Sequence, residues 1–427
     1  KMSNVLVLGS GGREHAIVWS LKNDENVDKV FCAPGNGGTM MHAQNLDVDI
    51  NDNKDILRII KNNNIDFTII GPENPLDNGI VDFLNENGCK VFGPSKYASK
   101  LESSKIFARR FMDKYNIPQP CFFECKNEEE VISVATKLGF PIVLKADGLA
   151  AGKGVLICYN QGDLDEALDI MFKDRKFGSA ANRISVEECL KGQELSIFVV
   201  TDGENYKILN SAQDHKRIFD NDEGPNTGGM GAYCPSPLFD EKLREKVENR
   251  IIKPTINGMK KEGYPYKGFL YIGIMLVEGE PYMIEYNVRL GDPEAQVIIP
   301  MLDNDFLSVV EHTIDEKIDL LDIKNKDGFT VTVILASDGY PDKYEKNKEI
   351  FGLDNSTLIF HSGTKYEDDT YYTNGGRVLS VIGSGDTLKS AIDNAYYNVK
   401  KIKFQNMYFR NDIGIKGLNF LKNISNE

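Results

Sequence analysis

Short apolar runs separated by amphipathic stretches organise the N-terminal part of the chain. The apolar runs at residues 5–8, 30–33, 67–70 and 90–92 predict strands, and residues 16–21, 56–62 and 80–87 predict the connecting helices. This alternation predicts a parallel sheet with helices on both faces. Ligands of such sheets bind at the carboxyl ends of the strands, so the loops that follow the strands are the first candidates for a site.

The middle of the chain carries longer helical and β patterns. Helices are predicted at 101–112, 128–138 and 240–262, and strands at 141–145, 154–159, 195–200, 268–277 and 281–284. Pro254 predicts a kink in the last of these helices, because proline removes a backbone donor. Residues 211–233 are rich in glycine and show no period, which predicts a long, irregular and functional segment.

The composition changes after about residue 326, where strands at 329–335, 356–360 and 376–382 and a helix at 387–401 predict a small α+β cap. The fold class is therefore α/β and α+β multidomain. The predicted units are an N-terminal parallel α/β domain, a core, a lid inserted into that core, and a C-terminal α+β domain. They span residues 1–102, residues 103–120 with 190–326, residues 121–189, and residues 327–427, in that order.

Composition and charge exclude several classes of protein. A chain of 427 residues with 41% hydrophobic and 27% charged residues is typical of a globular protein in water. Its net charge of −14 argues against general binding of nucleic acid, and an anionic substrate would need a locally basic pocket. The 7 cysteines are scattered and predict reduced thiols in a cytoplasmic protein, and we expect no membrane partner because no apolar run approaches ~20 residues.

Three polar residues alternate along the strand that follows the hairpin at 268–284. Glu285, Asn287 and Arg289 point to one face if the strand continues. Two oxygen ligands and a guanidinium on one face suit a divalent cation and phosphate oxygens. An ordinary solvated edge strand would show the same pattern, and the stretch alone leaves both interpretations open.

Glycine-rich loops follow three strands of the N-terminal sheet, at residues 9–15, 34–39 and 71–75. The first does not match a dinucleotide fingerprint, because Glu14 stands where the third glycine is required. The glycine turn before a helix N-terminus, with Arg13 behind it, indicates a site for a single phosphate. A plain tight turn is the alternative.

A second glycine-rich segment, residues 146–154, joins two strands and differs from a P-loop in its spacing and in carrying Gly154 where Ser or Thr is required. We interpret it as a hairpin that closes over phosphates, with Lys145 and Lys153 supplying positive charge. The acids Glu187, Glu188 and Glu194 are either a solvated edge or acceptors for a nucleoside, and position alone does not decide between these interpretations.

Eight stretches in the same order resemble the glycinamide ribonucleotide synthetases, a family of the ATP-grasp superfamily. They lie at residues 9–15, 34–36, 71–73, 144–154, 213–216, 224–233, 289–296 and 373–378. Each is weakly to moderately specific alone, but their order and spacing together are highly specific. Leu290 stands where the family pattern has Phe, which is a small apolar change.

The resemblance implies an ATP-grasp fold and a ligase of de novo purine biosynthesis. ATP would phosphorylate the carboxylate of glycine, and the amine of 5-phosphoribosylamine would attack the resulting acyl phosphate. Positioning and charge neutralisation dominate such phosphoryl transfer. Glu285 and Asn287 would hold Mg²⁺ or Mn²⁺, and catalysis would fall to Arg289, Lys145 and Asp214.

The resemblance also implies two sets of binding residues. ATP would be bound by Lys105, Lys145, Gly152, Lys153, Glu187, Glu188, Leu190 and Glu194. The two other substrates would be bound by Gly11, Gly12, Arg13, Asn36, Glu73, Asp214, Arg289, Gly291, Asp292 and Pro293, with the N-terminal loops on the phosphoribosylamine side.

The expected partners are small molecules, and we expect a monomer, with a weak dimer as the alternative. Another ATP-grasp carboxylate–amine ligase is the rival enzyme, and a catalytically silent nucleotide-binding protein is the rival from another class.

Overall fold

The computed structural model describes residues 2–149 and 154–426. Its N-terminal part is a five-stranded sheet, all parallel, in the order β3-β2-β1-β4-β5. The elements are β1 (Ser3–Gly9), α1 (Gly12–Lys22), β2 (Val27–Pro34), β3 (Gln44–Asn45), α2 (Asn53–Asn62), β4 (Phe67–Ile70), α3 (Glu73–Asp77), α4 (Ile80–Glu86) and β5 (Lys90–Phe92). The predicted parallel sheet is confirmed, and only β3 and α3 were not predicted, because elements this short carry no readable period.

The helix predicted at 101–112 is two helices, α5 (Lys100–Ser103) and α6 (Lys105–Lys114). Ser104 has an extended backbone between them, and its hydroxyl accepts from the N–H of Phe107 at 3.1 Å, as an N-cap does. The same hydroxyl donates to Asp147 Oδ1 at 2.9 Å. The break places Lys105 at the start of α6, beside the residue 146–154 segment.

A four-stranded antiparallel sheet, β6-β9-β7-β8, forms the lid unit. Its elements are β6 (Phe122–Cys125), α7 (Glu128–Leu138), β7 (Ile142–Ala146), β8 (Val155–Cys158), α8 (Gln161–Leu168) and β9 (Ile184–Glu188). The antiparallel pairing of β7 with β8 confirms the predicted strand-to-strand connection. The centre of that connection, with Gly152 and Lys153, lies outside the described residues.

The large sheet has eight strands in the order β16-β15-β10-β11-β14-β17-β21-β18. In chain order its first elements are β10 (Gln193–Asp202), β11 (Tyr206–Asp214), β12 (Arg217–Phe219), β13 (Glu223–Asn226), β14 (Gly231–Cys234), α9 (Glu241–Val247), α10 (Lys253–Lys261), β15 (Lys267–Val277), β16 (Glu280–Asn287), α11 (Ala295–Met301) and α12 (Phe306–Ile314). A π-helical turn, Glu248–Ile252, lies between α9 and α10 just ahead of Pro254, where the sequence predicted a kink.

The remaining elements are β17 (Phe329–Ala336), β18 (Ile359–His361), β19 (Thr364–Glu367), β20 (Thr370–Thr373), β21 (Arg377–Gly385), α13 (Leu388–Val399) and α14 (Ile415–Ser425). Because β14 pairs with β17, the large sheet continues across residue 327, and the domain boundary there stays a prediction. None of the described helices has the length and apolar character needed to cross a membrane.

The prediction of an irregular segment at 211–233 is wrong in part. The segment contains the end of β11, the two-stranded β12–β13 pair and β14. These strands are short, and β14 pairs with β17, almost a hundred residues away. A local pattern does not report pairing of that kind, because the partner strand decides whether the segment is extended.

Candidate active site

One cavity of about 1120 Å³ lies where the N-terminal loops, the lid sheet, the large sheet and the C-terminal elements meet. It is lined by predicted site residues from all of these parts except the C-terminal elements: Arg13, Glu73, Lys105, Lys145, Glu187, Glu188, Leu190, Glu194, Asp214, Glu285, Asn287, Arg289, Gly291 and Asp292. The fold therefore brings together most of the residues that the sequence singled out from distant segments.

Strand β16 supplies the floor of the cavity. Glu285 pairs with Gly273 and Asn287 with Tyr271 on β15, and both side chains line the cavity. Tyr286, between them, is 2% exposed, and its hydroxyl meets Thr255 Oγ1 at 2.6 Å in the core. The predicted alternation is confirmed, because Tyr286 anchors the strand and its neighbours face the cavity.

The Glu285 carboxylate lies among cations. Burial raises its pKa, but Lys216, Lys145 and Lys105 outweigh burial and bring the pKa to about 2. The nearest of them, Lys216 Nζ, is 3.4 Å from Glu285 Oε1. Within the described part of the chain, no group hydrogen-bonds the side chain of Asn287, so both residues keep oxygens for a ligand.

These two residues fit a divalent cation that also takes phosphate oxygens. A carboxylate and an amide oxygen on one strand face are ligand types that Mg²⁺ accepts, with the remaining positions going to water and phosphate. No set of three or more His, Cys, Asp or Glu side chains able to hold a metal occurs among residues 2–149 and 154–426. Glu285 and Asn287 thus suit an ion that also binds the phosphate oxygens of a nucleotide.

A closed ion cluster forms the lid side of the cavity. Glu187 Oε1 accepts from Arg109 Nη2 at 2.7 Å and contacts Lys145 Nζ at 3.1 Å, and Oε2 accepts from Arg109 Nε at 2.9 Å and Ser185 Oγ at 2.7 Å. Burial raises the pKa of Glu187, but Lys145 and Arg109 bring it to about 2. The two oxygens offer about four acceptor positions, and these contacts use them all.

Glu187 was predicted to accept from adenosine, and that role stays a prediction; in this structure its carboxylate holds Arg109 and Lys145. Arg109, the central cation, was missed by the sequence reasoning. It is 2% exposed on α6 and also donates to the carbonyls of Met283 and Ile284, at 3.1 and 2.6 Å. A buried arginine on an amphipathic helix gives no sequence signal that separates it from its exposed neighbour Arg110.

The remaining predicted ATP residues fall into two groups. Leu190 and Glu194 line the cavity beyond β9, and Glu188 Oε1 accepts from the N–H of Cys121 at 2.8 Å. Lys105 Nζ donates to the carbonyl of Gly148 at 3.1 Å, and so its side chain reaches the residue 146–154 segment. Their binding roles stay predictions.

Arg289 is held by two carboxylates. Its Nε donates to Glu73 Oε2 at 3.1 Å, and its Nη2 donates to Glu102 Oε2 at 2.9 Å. Glu73 follows β4 in the N-terminal sheet, so this pair links that sheet to the end of β16. Glu102 was missed by the sequence reasoning, and its other oxygen accepts from the N–H of Val288 at 2.9 Å. Arg289 reaches the cavity already paired.

The N-terminal loops approach the cavity less closely than the sequence predicted. Arg13 lines it, and its backbone N–H donates to Asp292 Oδ2 at 3.3 Å. Asn36 uses its amide elsewhere, donating to the carbonyls of Ser10 and His361 at 2.8 and 2.7 Å. Asn36 therefore connects the N-terminal sheet to β18 rather than presenting its side chain to the cavity.

Three further predicted substrate residues, Gly11, Gly12 and Pro293, are absent from the described wall of this cavity. Gly12 packs closely against Gln296, since a Cβ at residue 12 would come within 2.4 Å of Gln296 Nε2. Pro293 packs against Gly229, where an added Cβ would meet its Cδ at 2.4 Å. Their predicted roles in binding stay predictions.

A pair of acids lies beside the metal candidates. Burial is the main cause that raises the pKa of Asp214, with Lys216 opposing it. Burial and the nearby Asp214 raise the pKa of Glu294 to about 8. The Glu294 carboxyl lies over Gly291, where an added Cβ would come within 2.2 Å of Oε2. Glu294 was in the predicted glycine turn, and the structure adds Lys216 as its neighbour.

The C-terminal part contributes Arg377 to the cavity wall. This residue lies in the stretch at 373–378, for which the sequence predicted no binding role. Its Nη1 donates to the carbonyl of Asp292 at 2.8 Å, and its Nη2 is 3.7 Å from Asp292 Oδ1. Asp292 thereby receives contacts from the N-terminal loop and from β21, and the turn is fixed from both sides.

Comparison with family models matches three consecutive segments. The models of phosphoribosylglycinamide synthetase match residues 3–102 as its N domain, 103–295 as its ATP-grasp (A) domain and 330–416 as its C domain. The chain is 44% identical to a phosphoribosylamine–glycine ligase of Caldanaerobacter subterraneus, with 96% of this chain and 99% of the relative covered. It is also 44% identical to the Neisseria meningitidis serogroup B protein of the same name, with 97% and 99% covered.

Solved structures agree at the level of the fold. A phosphoribosylamine–glycine ligase from Thermotoga maritima superposes with a TM-score of 0.84 at 38% identity, covering 96% of this chain and 99% of that one. The biotin carboxylase domain of Hydrogenobacter thermophilus 2-oxoglutarate carboxylase superposes with a TM-score of 0.73 at 16% identity, covering 96% and 92%. The second likeness shows a shared ATP-grasp fold alone.

Proposed function

The chain belongs to the phosphoribosylglycinamide synthetase family, and we propose that it is the ATP-dependent ligase that joins glycine to 5-phosphoribosylamine in purine biosynthesis. The observation that carries the proposal is the shared cavity, where Glu285, Asn287 and Lys145 meet Arg13 and Glu73 of the N-terminal sheet. A ligase that passes an acyl phosphate to an amine needs both partners in one enclosed space.

In the first step the carboxylate of glycine attacks the γ-phosphorus of ATP, giving glycyl phosphate and ADP. Lys145, Lys105 and Lys216 offset the charge of the phosphates from one side of the cavity. A divalent cation held by Glu285 and Asn287 would supply further charge neutralisation at the phosphate oxygens. Asp214, Arg289 and the turn from Gly291 to Glu294 are the candidates for binding glycine, and the closeness of Asp214 to Glu294 supports this assignment.

In the second step the amine nitrogen of 5-phosphoribosylamine attacks the carbonyl carbon. The C–N bond forms, the C–O bond to phosphate breaks, and the nitrogen loses one proton, which yields glycinamide ribonucleotide and inorganic phosphate. The N-terminal loops are the candidates for binding the phosphoribosyl part, and the lining of the cavity by Arg13 and Glu73 supports this assignment. The ion pair of Glu73 with Arg289 joins the N-terminal loops to the end of β16, which carries the residues proposed to bind the metal and the phosphates.

Several finer points belong to the same proposal. Mg²⁺ or Mn²⁺ is the expected ion, because hard oxygen ligands favour both. We expect the protein to act in the cytoplasm as a monomer, with a weak dimer as the alternative, and the pocket's ligands to be glycine, 5-phosphoribosylamine and ATP.

Phosphate release tests the function directly. Purified protein should release phosphate only when glycine, ATP with Mg²⁺, and 5-phosphoribosylamine are all present. Omitting each component in turn is the control, and mass spectrometry of the product identifies the amide. Equal turnover with another amino acid in place of glycine would refute the substrate assignment and favour a different ATP-grasp carboxylate–amine ligase. Binding of ATP without any turnover would favour the silent nucleotide-binding alternative.

A further inference from the structure

The C-terminal helix α14 presents one stripe of its surface to the cavity. The cavity residues of this helix recur every three or four positions: Lys416, Asn419, Phe420 and Asn423. This spacing puts them on one face of the helix. On another face, Leu418 and Leu421 pack against the C-terminal apolar core. Three of the four stripe residues lie beyond residue 416, where the match to the C domain ends.

Helix α14 begins close to the segment that contains Asp214 and Lys216. The N–H of Gly414 donates to His215 Nε2 at 3.3 Å, and His215 directly follows Asp214. One turn along α14, a Cβ on Gly417 would lie 2.9 Å from Cε2 of Tyr233. Tyr233 pairs with Gln213 across β14 and β11. The first turn of α14 therefore lies along the part of the cavity wall that β11 and β14 form.

The next turn of α14 carries Phe420, which lines the same cavity as Leu238. Phe420 packs against the apolar cluster that contains Leu238. The Leu238 N–H donates to Ser236 Oγ at 3.2 Å, and this hydroxyl donates to Gln213 Oε1 at 2.8 Å. Gln213 Nε2 in turn donates to the carbonyl of Glu194 at 3.2 Å. Leu238, which shares this cluster and the cavity wall with Phe420, is thus connected by hydrogen bonds to the strand that contains Glu194.

The chemistry of the stripe suits a nucleoside better than a phosphate. Its only cation, Lys416, contacts Asp222 Oδ2, so the stripe offers no spare positive charge. Phe420 offers an aromatic face, which favours stacking or edge contact with a planar base. Asn419 and Asn423 offer amides, which both donate and accept hydrogen bonds and so match the ring nitrogens and hydroxyls of a nucleoside.

We propose that Asn419, Phe420 and Asn423 form the outer wall of the nucleoside part of the ATP site and contribute to its preference for adenine nucleotides. The proposal rests on the proposed function only in that ATP is the nucleotide used. It assigns to the C-terminal helix a direct binding role, in addition to its packing against two apolar cores.

Binding of Mg²⁺-ADP to the full-length protein tests this role without glycine or amine present. By calorimetry, Phe420→Ala should raise the Kd for ADP about thirtyfold, the middle of the range for losing an aromatic–base contact. The double variant Asn419→Ala/Asn423→Ala should raise it about five- to tenfold. Ile424→Ala and Lys422→Ala are the matched controls, since both residues lie on α14 outside the cavity wall, and they should bind ADP like the unaltered protein.

Phe420 also contributes to packing, so each variant is accompanied by its melting temperature. Phe420→Leu keeps an apolar side chain, and it should melt close to the unaltered protein while still binding ADP more weakly. Discrimination between ADP and GDP should fall in the double variant, which a general loss of packing does not predict.

An ADP Kd unchanged in both Phe420→Leu and the asparagine double variant would overturn the proposal. An equal loss of affinity in Ile424→Ala would overturn it as well, because the effect would then come from the helix as a whole. Failure of the ligase assay with tight ADP binding would instead refute the proposed function. The two failures are therefore distinguishable.

Discussion

Two glutamates of the same cavity, Glu187 and Glu285, look alike by charge and differ in their partners. Burial raises the pKa of each, and nearby cations bring both to about 2. Glu187 has its acceptor positions filled by Arg109, Lys145 and Ser185, whereas Glu285 has one contact of 3.4 Å with Lys216. A low pKa is therefore common to both carboxylates. They differ in their unused acceptor positions and in exposure, since the side chain of Glu187 is 2% exposed and that of Glu285 is 36% exposed.

The difference has a physical origin. A buried carboxylate without full hydrogen bonding is expensive, so a protein that only needs stability surrounds it with donors, as at Glu187. Glu285 keeps free oxygens beside several cations, and this arrangement is favourable when a charged ligand completes it. The comparison predicts that changes at Glu285 reduce turnover and that changes at the Glu187 cluster reduce stability.

The largest expected effect is loss of turnover in Glu285→Ala. Removing a ligand-binding carboxylate from the phosphate end should lower the rate of phosphate release at least about 100- to 1,000-fold. Circular dichroism should show an unchanged fold. Glu280→Ala is the control on the same strand, because Glu280 pairs with Lys246 and Arg250 outside the cavity. Turnover retained in Glu285→Ala would refute the proposal that Glu285 binds the metal ion.

The second effect concerns stability. Arg109→Met leaves the buried Glu187 without its bidentate partner and should lower the free energy of unfolding by about 3–5 kcal/mol. The neighbouring Arg110 pairs with Glu124 at the surface, so Arg110→Met should change it by about 0–1 kcal/mol. Urea unfolding followed by circular dichroism measures both. Equal losses in the two variants would show that the buried pair of Arg109 with Glu187 stabilises the fold no more than a surface ion pair does.

A smaller effect is expected at the junction of the N-terminal sheet with β18. Asn36→Ala removes two donated bonds and the acceptor used by the N–H groups of Gly38 and Thr39. It should cost about 1–3 kcal/mol of unfolding free energy. Asn78→Ala, at an exposed site with one bond to Asn51, is the control. A raised KM for 5-phosphoribosylamine with unchanged stability would restore the predicted binding role of Asn36.

The last expected effect is a gradual change of stability with pH rather than a single loss. Burial and Asp214 raise the folded pKa of Glu294 from 4.5 to about 8, so between these values the folded protein retains a proton that the unfolded chain releases. Stability without ligands should therefore fall as pH rises through this window, by at most about 1.4 kcal/mol per pH unit for one proton. Glu294→Gln should flatten this slope in melting temperatures measured from pH 5 to pH 8, about the range concerned. An unchanged slope would show that Glu294 titrates normally.

Much of the fold was readable from local pattern. Four of the five strands of the N-terminal sheet, helix α7 and the β15–β16 hairpin follow directly from apolar runs, periodicity and turn residues. The short strands between 211 and 233 were missed, because their conformation depends on the partner strand. The break at Ser104 was missed too, although a serine before a helical run is a known cap.

The candidate site divides in the same way. Strand alternation singled out Glu285 and Asn287, and the family resemblance implied that they share one site with Lys145 and Asp214. Arg109, Glu102 and the stripe on α14 had no signal, because a buried or cavity-facing side chain on a helix looks like any amphipathic position. Lys216 lay in the stretch at 213–216, but its place beside Glu285 depends on the tertiary structure. Asn36 lay in a readable motif, yet its partner is a carbonyl on β18.

By itself the sequence determined the family, the order of the elements and the alternation that turns Glu285 and Asn287 to one side of β16. These depend on contacts within a few residues along the chain and on motif spacing. Only the tertiary structure decided which charges are already paired, as at Glu187 and Arg289, and which keep free oxygens, as at Glu285. Pairing depends on atoms that meet across three sheets, at distances of a few ångströms that no spacing along the chain encodes.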